Sequence, residues 1–176
     1  MSMHKVIPGT LLLWMTVAAP SLADDSPRLG VPVSDAEVTA TNFVVMPDGT
    51  GLPAGSGDSI RGAEVYQENC LACHGVGGRD GINDVLVGGR GTITSAVPHR
   101  TVGSYWPYAT TLFDYVRRAM PYPTPGSLTD DDVYAVTAYL LFLNEIIGET
   151  DAMNAETLPA VHMPNRDNFV WGYAPN

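Results

Sequence analysis

The sequence predicts an all-α fold of three main helices with irregular arms at both ends. Three stretches carry apolar side chains at the spacing of an amphipathic helix: residues 59–70, 110–119 and about 130–146. The segments outside them are rich in proline, glycine and small polar residues and show no helical stripe. We therefore expect a helical body over residues 58–148, flanked by two extended arms.

The first predicted helix follows Asp58 and ends at Cys70. Aspartate commonly caps a helix N-terminus, because its carboxylate accepts hydrogen bonds from N–H groups that have no partner within the helix. Ala63, Tyr66 and Cys70 then follow at near-helical spacing. The next segment, residues 75–100, is a glycine-rich loop with too few apolar residues for a core of its own.

The second predicted helix spans residues 110–119. Arg117 and Arg118 fall in its last turn, where cations interact favourably with the helix dipole. The dipeptide Met120-Pro121 ends the helix, since proline cannot continue it. Its apolar face consists of Leu112, Tyr115, Val116 and Ala119.

The third predicted helix begins after Thr129, with Asp132 three positions later as in a capping box. The acids at 130–132 suit the first turn of a helix, although such a triplet can also hold a cation. Gly148 is the predicted C-cap. The apolar stripe of the helix consists of Val133, Val136, Leu140 and Leu143, with Tyr139 beside them.

The two arms cover residues 24–57 and 149–176. The apolar run of the first arm, residues 42–46, predicts a short strand or a docking segment. Segments of this composition do not fold alone, so we expect both arms to lie over the body or over a partner. Their apolar contacts with a partner would come from Phe43, Val45, Phe169 and Trp171.

Residues 1–23 have the pattern of a secretory signal peptide. Residues 1–5 are weakly basic, residues 6–19 are mostly apolar, and residues 21–23 place small side chains where a signal peptidase reads them. The apolar stretch is interrupted by prolines and is shorter than the roughly 20 residues of a membrane-spanning helix. We therefore predict cleavage after Ala23 and a periplasmic location, with no membrane span in the mature chain.

Cleavage would leave 153 residues, the size of one domain. This mature chain has eight arginines, no lysine and 19 acids, which gives a formal charge of −11. Such a charge makes nucleic acid and anionic membrane surfaces poor partners. It can instead steer a basic partner at low ionic strength.

Both cysteines of the chain belong to one pentapeptide, Cys70-Leu-Ala-Cys73-His74. This C-x-x-C-H spacing is that of a c-type haem attachment site: the thiols form thioethers with the porphyrin vinyl groups, and the histidine becomes an axial iron ligand. The sequence therefore predicts one covalently attached haem c and a function in electron transfer.

Two other interpretations of C-x-x-C remain at this stage. A zinc site needs about four ligands, and beyond the pentapeptide only His99, His162 and carboxylates are available, without a recognised spacing. A dithiol oxidoreductase carries its motif in a βαβ unit, and no alternating strand pattern precedes Cys70.

The order of a helix, C-x-x-C-H, a loop, a methionine and a C-terminal amphipathic helix resembles class I cytochromes c over residues 58–147. Gly62 and Tyr66 occupy the positions at which that family places a glycine and an aromatic residue, where its first and last helices cross. Val136 and Tyr139 fit the opposing positions. The resemblance implies the class I cytochrome c fold, with three main helices around the haem.

The resemblance also implies a methionine as the sixth iron ligand. Met120 lies between the second helix and the proline loop that precedes the last helix, which is the family's position. Met163, His99 and His162 are the other candidates. The predicted iron ligands are therefore His74 and Met120, and His/Met ligation gives the raised potential of a haem that accepts electrons.

An aromatic cluster after the glycine-rich loop is interpreted both as core and as haem pocket. Tyr105 and Trp106 carry donors for a haem propionate, and Arg100 would be a charge-assisted partner for the same group. We expect partners to dock at the haem edge near Ala72 and residues 105–108. The predicted cofactor-binding residues are Cys70, Cys73, His74, Met120, Tyr105, Trp106 and Arg100.

Three segments extend the resemblance to nearly the whole mature chain: residues 46–57, 101–121 and 161–169. They are similar to the cytochrome subunits of periplasmic sulfite and sulfane dehydrogenases, whose partner is a molybdenum-cofactor protein. The sulfane dehydrogenase subunits usually carry two haems. One C-x-x-C-H allows one haem, and this departure favours the sulfite type.

These expectations describe an electron-transfer protein and not an enzyme. Apart from the haem, the sequence offers no nucleophile–base pair, no phosphate loop and no second metal cluster. The resemblance implies electron flow from a molybdenum-cofactor sulfite dehydrogenase to a downstream cytochrome c or oxidase. The alternatives are a general diffusible carrier, a haem sensor with an exchangeable ligand, and a thiosulfate-oxidising enzyme, which would need a third cysteine.

Overall fold

The structure, a computed structural model, describes residues 29–170 and residue 172. The predicted signal peptide, residues 1–23, and Trp171 lie outside the described residues. The described chain is mainly helical, and its strands are two residues long, so the predicted all-α class is confirmed. None of the helices in this part of the chain is long and apolar enough to cross a membrane.

Five α-helices and one two-stranded antiparallel sheet make up the regular structure of the described residues. In chain order they are α1 (Asp35–Thr41), β1 (Ser56–Gly57), α2 (Ser59–Asn69), α3 (Leu71–His74), α4 (Ala109–Ala119), α5 (Asp130–Leu143) and β2 (Met153–Asn154). Short 3₁₀ turns lie at Val76–Gly78, Leu158–Ala160 and Arg166–Asn168. In the sheet, Gly57 is paired with Met153.

The three predicted helices are present as α2, α4 and α5. The carboxylate of Asp58 caps α2 by accepting the N–H of Arg61 at 2.9 Å. At the start of α5, the Thr129 hydroxyl accepts the N–H of Asp132 at 3.2 Å and donates to the Asp132 carboxylate at 2.8 Å. Both predicted N-caps are therefore confirmed.

The acidic triplet at the start of α5 connects this helix to its neighbours. Each of the three carboxylates has a partner in the protein. The partners are Arg117 for Asp130 at 3.0 Å, the N–H of Ser56 for Asp131 at 2.8 Å, and Arg61 for Asp132 at 2.8 Å. These contacts position α5 against α4, β1 and α2. Because they give all three carboxylates a partner, the cation interpretation is not needed.

The end of α5 differs from the prediction, because the helix stops at Leu143 and Gly148 is not its cap. Asn144 is the C-cap, and Glu145 follows with a positive φ of 57°. The Asn144 side chain is buried, and its Oδ1 accepts the N–H of Gly88 from the glycine-rich loop at 3.0 Å. A tertiary contact with that loop sets the end of the helix, and the local sequence does not encode it.

Helices α2 and α5 cross closely at Gly62, as the sequence predicted. A Cβ on Gly62 would lie 2.7 Å from the Cβ of Tyr139 and nearer still to the carbonyl oxygen of Ala135. Only glycine permits this approach. The ring of Tyr66 packs at a tilt on Tyr139, with 5.4 Å between centroids, and its hydroxyl donates to the carbonyl of Gly75 at 2.8 Å.

The hydrophobic core lies between α2, α4 and α5, and both arms contribute to it. Val45 of the N-terminal arm is 5% exposed. Its N–H donates to the carboxylate of Asp114 in α4 at 2.9 Å. The C-terminal arm buries Met153, Leu158 and Met163. The arms therefore lie over the helical body, and Val45 is not available for the partner contact that the sequence suggested.

The N-terminal arm also contains a helix that the sequence analysis missed. Residues 42–46 form no strand and dock through Val45, the second of the two predicted alternatives. Before them, α1 has seven residues and no buried stripe. Ser34 starts this helix: its N–H and hydroxyl donate to the Glu37 carboxylate at 2.9 and 2.7 Å, a local capping contact that apolar periodicity does not reveal.

Gly62→Ala should destabilise the protein, because the added methyl group has no room between α2 and α5. We expect a loss of about 1–3 kcal/mol in the free energy of unfolding, even though alanine is the better helix former. Denaturant unfolding followed by circular dichroism measures the change. The control Gln67→Ala, on the exposed side of α2, should change the stability by less than about 0.5 kcal/mol. Equal stability of the two variants would contradict the close crossing.

Candidate haem site

A cavity of about 860 Å³ lies between α3, α4, α5 and the loops around them. Its size is within the range of about 300–1,000 Å³ that is typical of ligand pockets. The apolar side chains in its wall include Val102, Leu112, Val116, Leu128, Val136 and Leu140. Such a wall excludes water from a large apolar group, while polar and sulfur-containing side chains at the edge are free to bind it.

Helix α3 is the single turn that carries the pentapeptide, directly after α2. Cys70 and Cys73 are free thiols, are partly buried and both line the cavity. Burial, together with the neighbouring Cys73, raises the pKa of the Cys70 thiol to about 11. Dithiol oxidoreductases need a lowered thiol pKa. The site therefore does not support the dithiol interpretation.

His74, the last residue of α3, also lines the cavity. Its Nδ1 lies 2.9 Å from the carbonyl oxygen of Asp84. A carbonyl oxygen only accepts, so Nδ1 carries a proton, and in the neutral imidazole the lone pair is then on Nε2. A histidine that binds a metal through one ring nitrogen usually donates the N–H of its other ring nitrogen to a backbone carbonyl or a carboxylate.

Met120 is the methionine that lines the cavity, among those in the described residues. It is the C-cap of α4, and its N–H donates to the carbonyl of Val116 at 3.0 Å, so the helix end fixes its position. Met163, the alternative ligand, is fully buried in the core outside the cavity wall. The geometry therefore brings Met120, and not Met163, to the same cavity as His74.

The two histidines considered as alternative ligands are both exposed and do not line the cavity. The Nε2 of His162 lies 3.3 Å from a carboxylate oxygen of Asp167. The carbonyl of His99 accepts a hydrogen bond from the Ser104 hydroxyl, which holds the backbone of the loop and leaves the ring outside the site.

Of the three further residues predicted to bind the haem, two line the cavity and one does not. Arg100 and Trp106 line the cavity, and Trp106 packs edge-on against Tyr115 with 5.7 Å between centroids. Tyr105 does not line it. Its ring instead faces Phe169 at 5.6 Å, and its carbonyl accepts the side-chain amide of Asn165 at 2.8 Å, so contacts with the C-terminal arm hold it outside.

The sequence analysis missed the loops that form the mouth of the cavity. Ile82 and Tyr122 are 85% and 81% exposed and still line it, so the cavity opens to solvent between residues 82–85 and 121–123. The expected edge near Ala72 is exposed but is not part of the wall. Loop residues show no periodicity, and no signal in the sequence marked them.

The donor set of the cavity fits a covalently attached haem. It combines two thiols, an imidazole with a free Nε2 and a thioether sulfur, within an apolar wall. The zinc interpretation lacks a ligand set, because the described residues contain no group of three or more His, Cys, Asp or Glu side chains placed to hold a metal ion. The fold and the site together define an all-α protein that carries a c-type haem.

Comparisons with known proteins lead to the same class. Residues 58–140 match the family model described as cytochrome C oxidase, cbb3-type, subunit III. The structure is similar to a chain in the crystal structure of the sulfane dehydrogenase SoxCD from Paracoccus pantotrophus. The two share 39% sequence identity and a TM-score of 0.75, over 82% of this chain and 71% of that chain. No curated protein matches the sequence.

The chain belongs to the c-type cytochromes. The predicted class I cytochrome c fold is confirmed, and so are the covalently bound haem c and a role in electron transfer.

Cys73→Ala should abolish stable holoprotein, because the haem both fills the cavity and links the chain covalently. Haem staining after denaturing electrophoresis and the helix content from circular dichroism measure the two losses. Ala72→Ser, at the exposed position between the cysteines, is the control and should keep the haem. A folded, haem-free Cys73→Ala protein with native helix content would contradict this prediction.

Proposed function

We propose that this protein is a periplasmic monohaem cytochrome that takes electrons from a molybdenum-cofactor dehydrogenase of sulfur compounds. It then passes them to a downstream cytochrome c or oxidase. The observation that carries this proposal is the similarity to a chain of the sulfane dehydrogenase SoxCD over most of both chains. The periplasmic location rests on the signal-peptide pattern of residues 1–23.

In this proposal the pentapeptide and Met120 hold the haem. Cys70 and Cys73 would form the thioethers, and His74 and Met120 would bind the iron. The bound haem supplies one-electron redox chemistry. The chain itself orients the His74 ring through the Asp84 carbonyl, fixes Met120 at the end of α4, and keeps water away with apolar side chains. Arg100 and Trp106 line the cavity and would be the partners for the propionates.

Two sulfur compounds are candidates for the substrate of the partner, sulfite and a sulfane compound. One C-x-x-C-H motif favours a single-haem partner of a sulfite dehydrogenase. The structural similarity is to a sulfane dehydrogenase. In either case the substrate would react on the partner, since this chain would contribute the haem, and the described residues contain no other group of metal-ligating side chains. We therefore propose sulfite first and include a sulfane compound in the test.

Reduction of the haem by the dehydrogenase tests the proposal directly. The purified holoprotein is mixed with a purified molybdenum-cofactor sulfite or sulfane dehydrogenase, and sulfite or thiosulfate is added while the haem absorbance is followed. We expect rapid reduction with one of the two substrates. Mixtures without the dehydrogenase or without substrate are the controls. A haem that stays oxidised in every mixture would contradict the proposed donor.

A general diffusible carrier is the second candidate. The exposed mouth of the cavity, with Ile82 and Tyr122, is accessible to several partners. The large negative charge would also speed encounters with basic proteins at low salt. Purification of the tagged protein from its own cells separates the candidates: a dedicated subunit retains a molybdenum protein in high salt, whereas a carrier elutes alone.

Met120→Ala should keep the haem attached but lose thioether ligation, which lowers the reduction potential. The near-infrared charge-transfer band of Met-ligated ferric haem should vanish in this variant. Met163→Ala is the control. It should keep the band while it destabilises the fold by about 2–5 kcal/mol, because Met163 is fully buried. The opposite pattern of spectra would assign the ligand to Met163.

A further inference from the structure

Four arginines of the described residues form no ion pair, and two of these four lie over tyrosine rings. Within the described residues, the ion-paired arginines are Arg61, Arg117 and Arg118. Arg79, Arg90, Arg100 and Arg166 form no ion pair there, and of these Arg100 and Arg166 each lie over a tyrosine ring. The guanidinium carbon of Arg100 is 5.7 Å from the ring centre of Tyr105, and that of Arg166 is 5.4 Å from the ring centre of Tyr108.

These two pairs belong to one surface, which the C-terminal arm completes. Tyr105 packs edge-on against Phe169, and Asn165 of the same arm donates to the Tyr105 carbonyl at 2.8 Å. Tyr105 and Phe169 remain 41% and 49% exposed. We name this surface the arginine–aromatic face. It consists of Arg100, Tyr105, Tyr108, Arg166 and Phe169.

The arginine–aromatic face adjoins the haem cavity. Arg100 belongs to the face and also lines the cavity, and so does Trp106, the residue between the two tyrosines of the face. A protein bound there would therefore lie against the wall of the haem site. Asp167, next to Arg166 in the sequence, has its carboxylate 3.3 Å from Nε2 of His162 and forms no ion pair with Arg166.

We propose that the arginine–aromatic face is the docking surface for the electron-donating dehydrogenase, which presents carboxylates to Arg100 and Arg166. This inference rests on the proposed function. A guanidinium stacked on a ring keeps its in-plane N–H groups free for bidentate contact with a carboxylate. Tyrosine, phenylalanine and arginine are also the residue types enriched at protein interfaces.

The charge of the rest of the chain fixes the orientation of such a partner. The protein has a formal net charge of −10, so an acidic surface is repelled by most of it. The arginine–aromatic face holds two arginines without an ion pair, so it attracts carboxylates, and charge complementarity of this kind sets specificity and association rate. The complex therefore places the donor beside the wall that contains Arg100 and Trp106.

Charge reversal at Arg166 tests the face, because this residue does not line the haem cavity. The rate of haem reduction is measured with two donors: the molybdenum dehydrogenase with its substrate, and reduced flavodoxin as an acidic donor unrelated to sulfur chemistry. At low salt, Arg166→Glu should slow reduction by both donors at least about tenfold. Arg61→Glu makes the same charge change on α2 and should have a much smaller effect.

Two further variants separate docking from folding. Phe169→Ala keeps the charge and should also slow reduction by the dehydrogenase, while Arg166→Lys should retain more of the rate than Arg166→Glu. The haem spectrum and thermal unfolding of each variant verify that the fold is intact. If Arg166→Glu and Arg61→Glu behave alike with both donors, the proposal is overturned.

The two donors also separate this inference from the proposed function. If the dehydrogenase never reduces the wild-type haem but Arg166→Glu still slows reduction by flavodoxin, the face is a docking surface for acidic donors. The same result contradicts the sulfur-compound dehydrogenase as the donor. If the wild-type protein sediments as a dimer and Arg166→Glu dissociates it without changing electron transfer, the face contacts a second copy of the chain. That result would overturn the proposal.

Discussion

The structure depends on the close contact between α2 and α5 at Gly62. Helix α2 leads directly into the C-x-x-C-H turn, so its position on α5 also determines where the two thiols and His74 lie. The same α5 presents Val136 and Leu140 to the other side of the cavity. A side chain at Gly62 would push the helices apart, and the attachment turn would move away from the wall it faces.

The loops complete what this helix pair begins. Asn144, at the end of α5, holds the glycine-rich loop through the N–H of Gly88, and the same loop supplies the Asp84 carbonyl that orients His74. The opposite side of the cavity comes from the end of α4, where Met120 lies. The covalent attachment thus belongs to a helix, whereas the ring orientation of His74 depends on tertiary contacts with a loop.

The arms connect the body to the surface that partners meet. The N-terminal arm is fixed by Val45 and Asp114, and the C-terminal arm buries Met163 and carries Phe169 to the arginine–aromatic face. The second arm therefore has a structural and a proposed functional role at once. This explains how a segment with few apolar residues is ordered: it adds single buried side chains to an existing core and forms none of its own.

Sequence patterns predicted the three main helices, the N-caps at Asp58 and Thr129 and the haem attachment motif, while the resemblance to class I cytochromes c implied the crossing at Gly62. The helices, the caps and the motif depend on residues a few positions apart, where periodicity and hydrogen bonding are local. Tertiary contacts set the end of α5 at Asn144 and keep Tyr105 outside the cavity, whereas Met120, which the resemblance already implied, lines it. The first two outcomes depend on contacts between residues distant in sequence, such as Asn144 with Gly88 and Tyr105 with Asn165. No local pattern encodes such contacts.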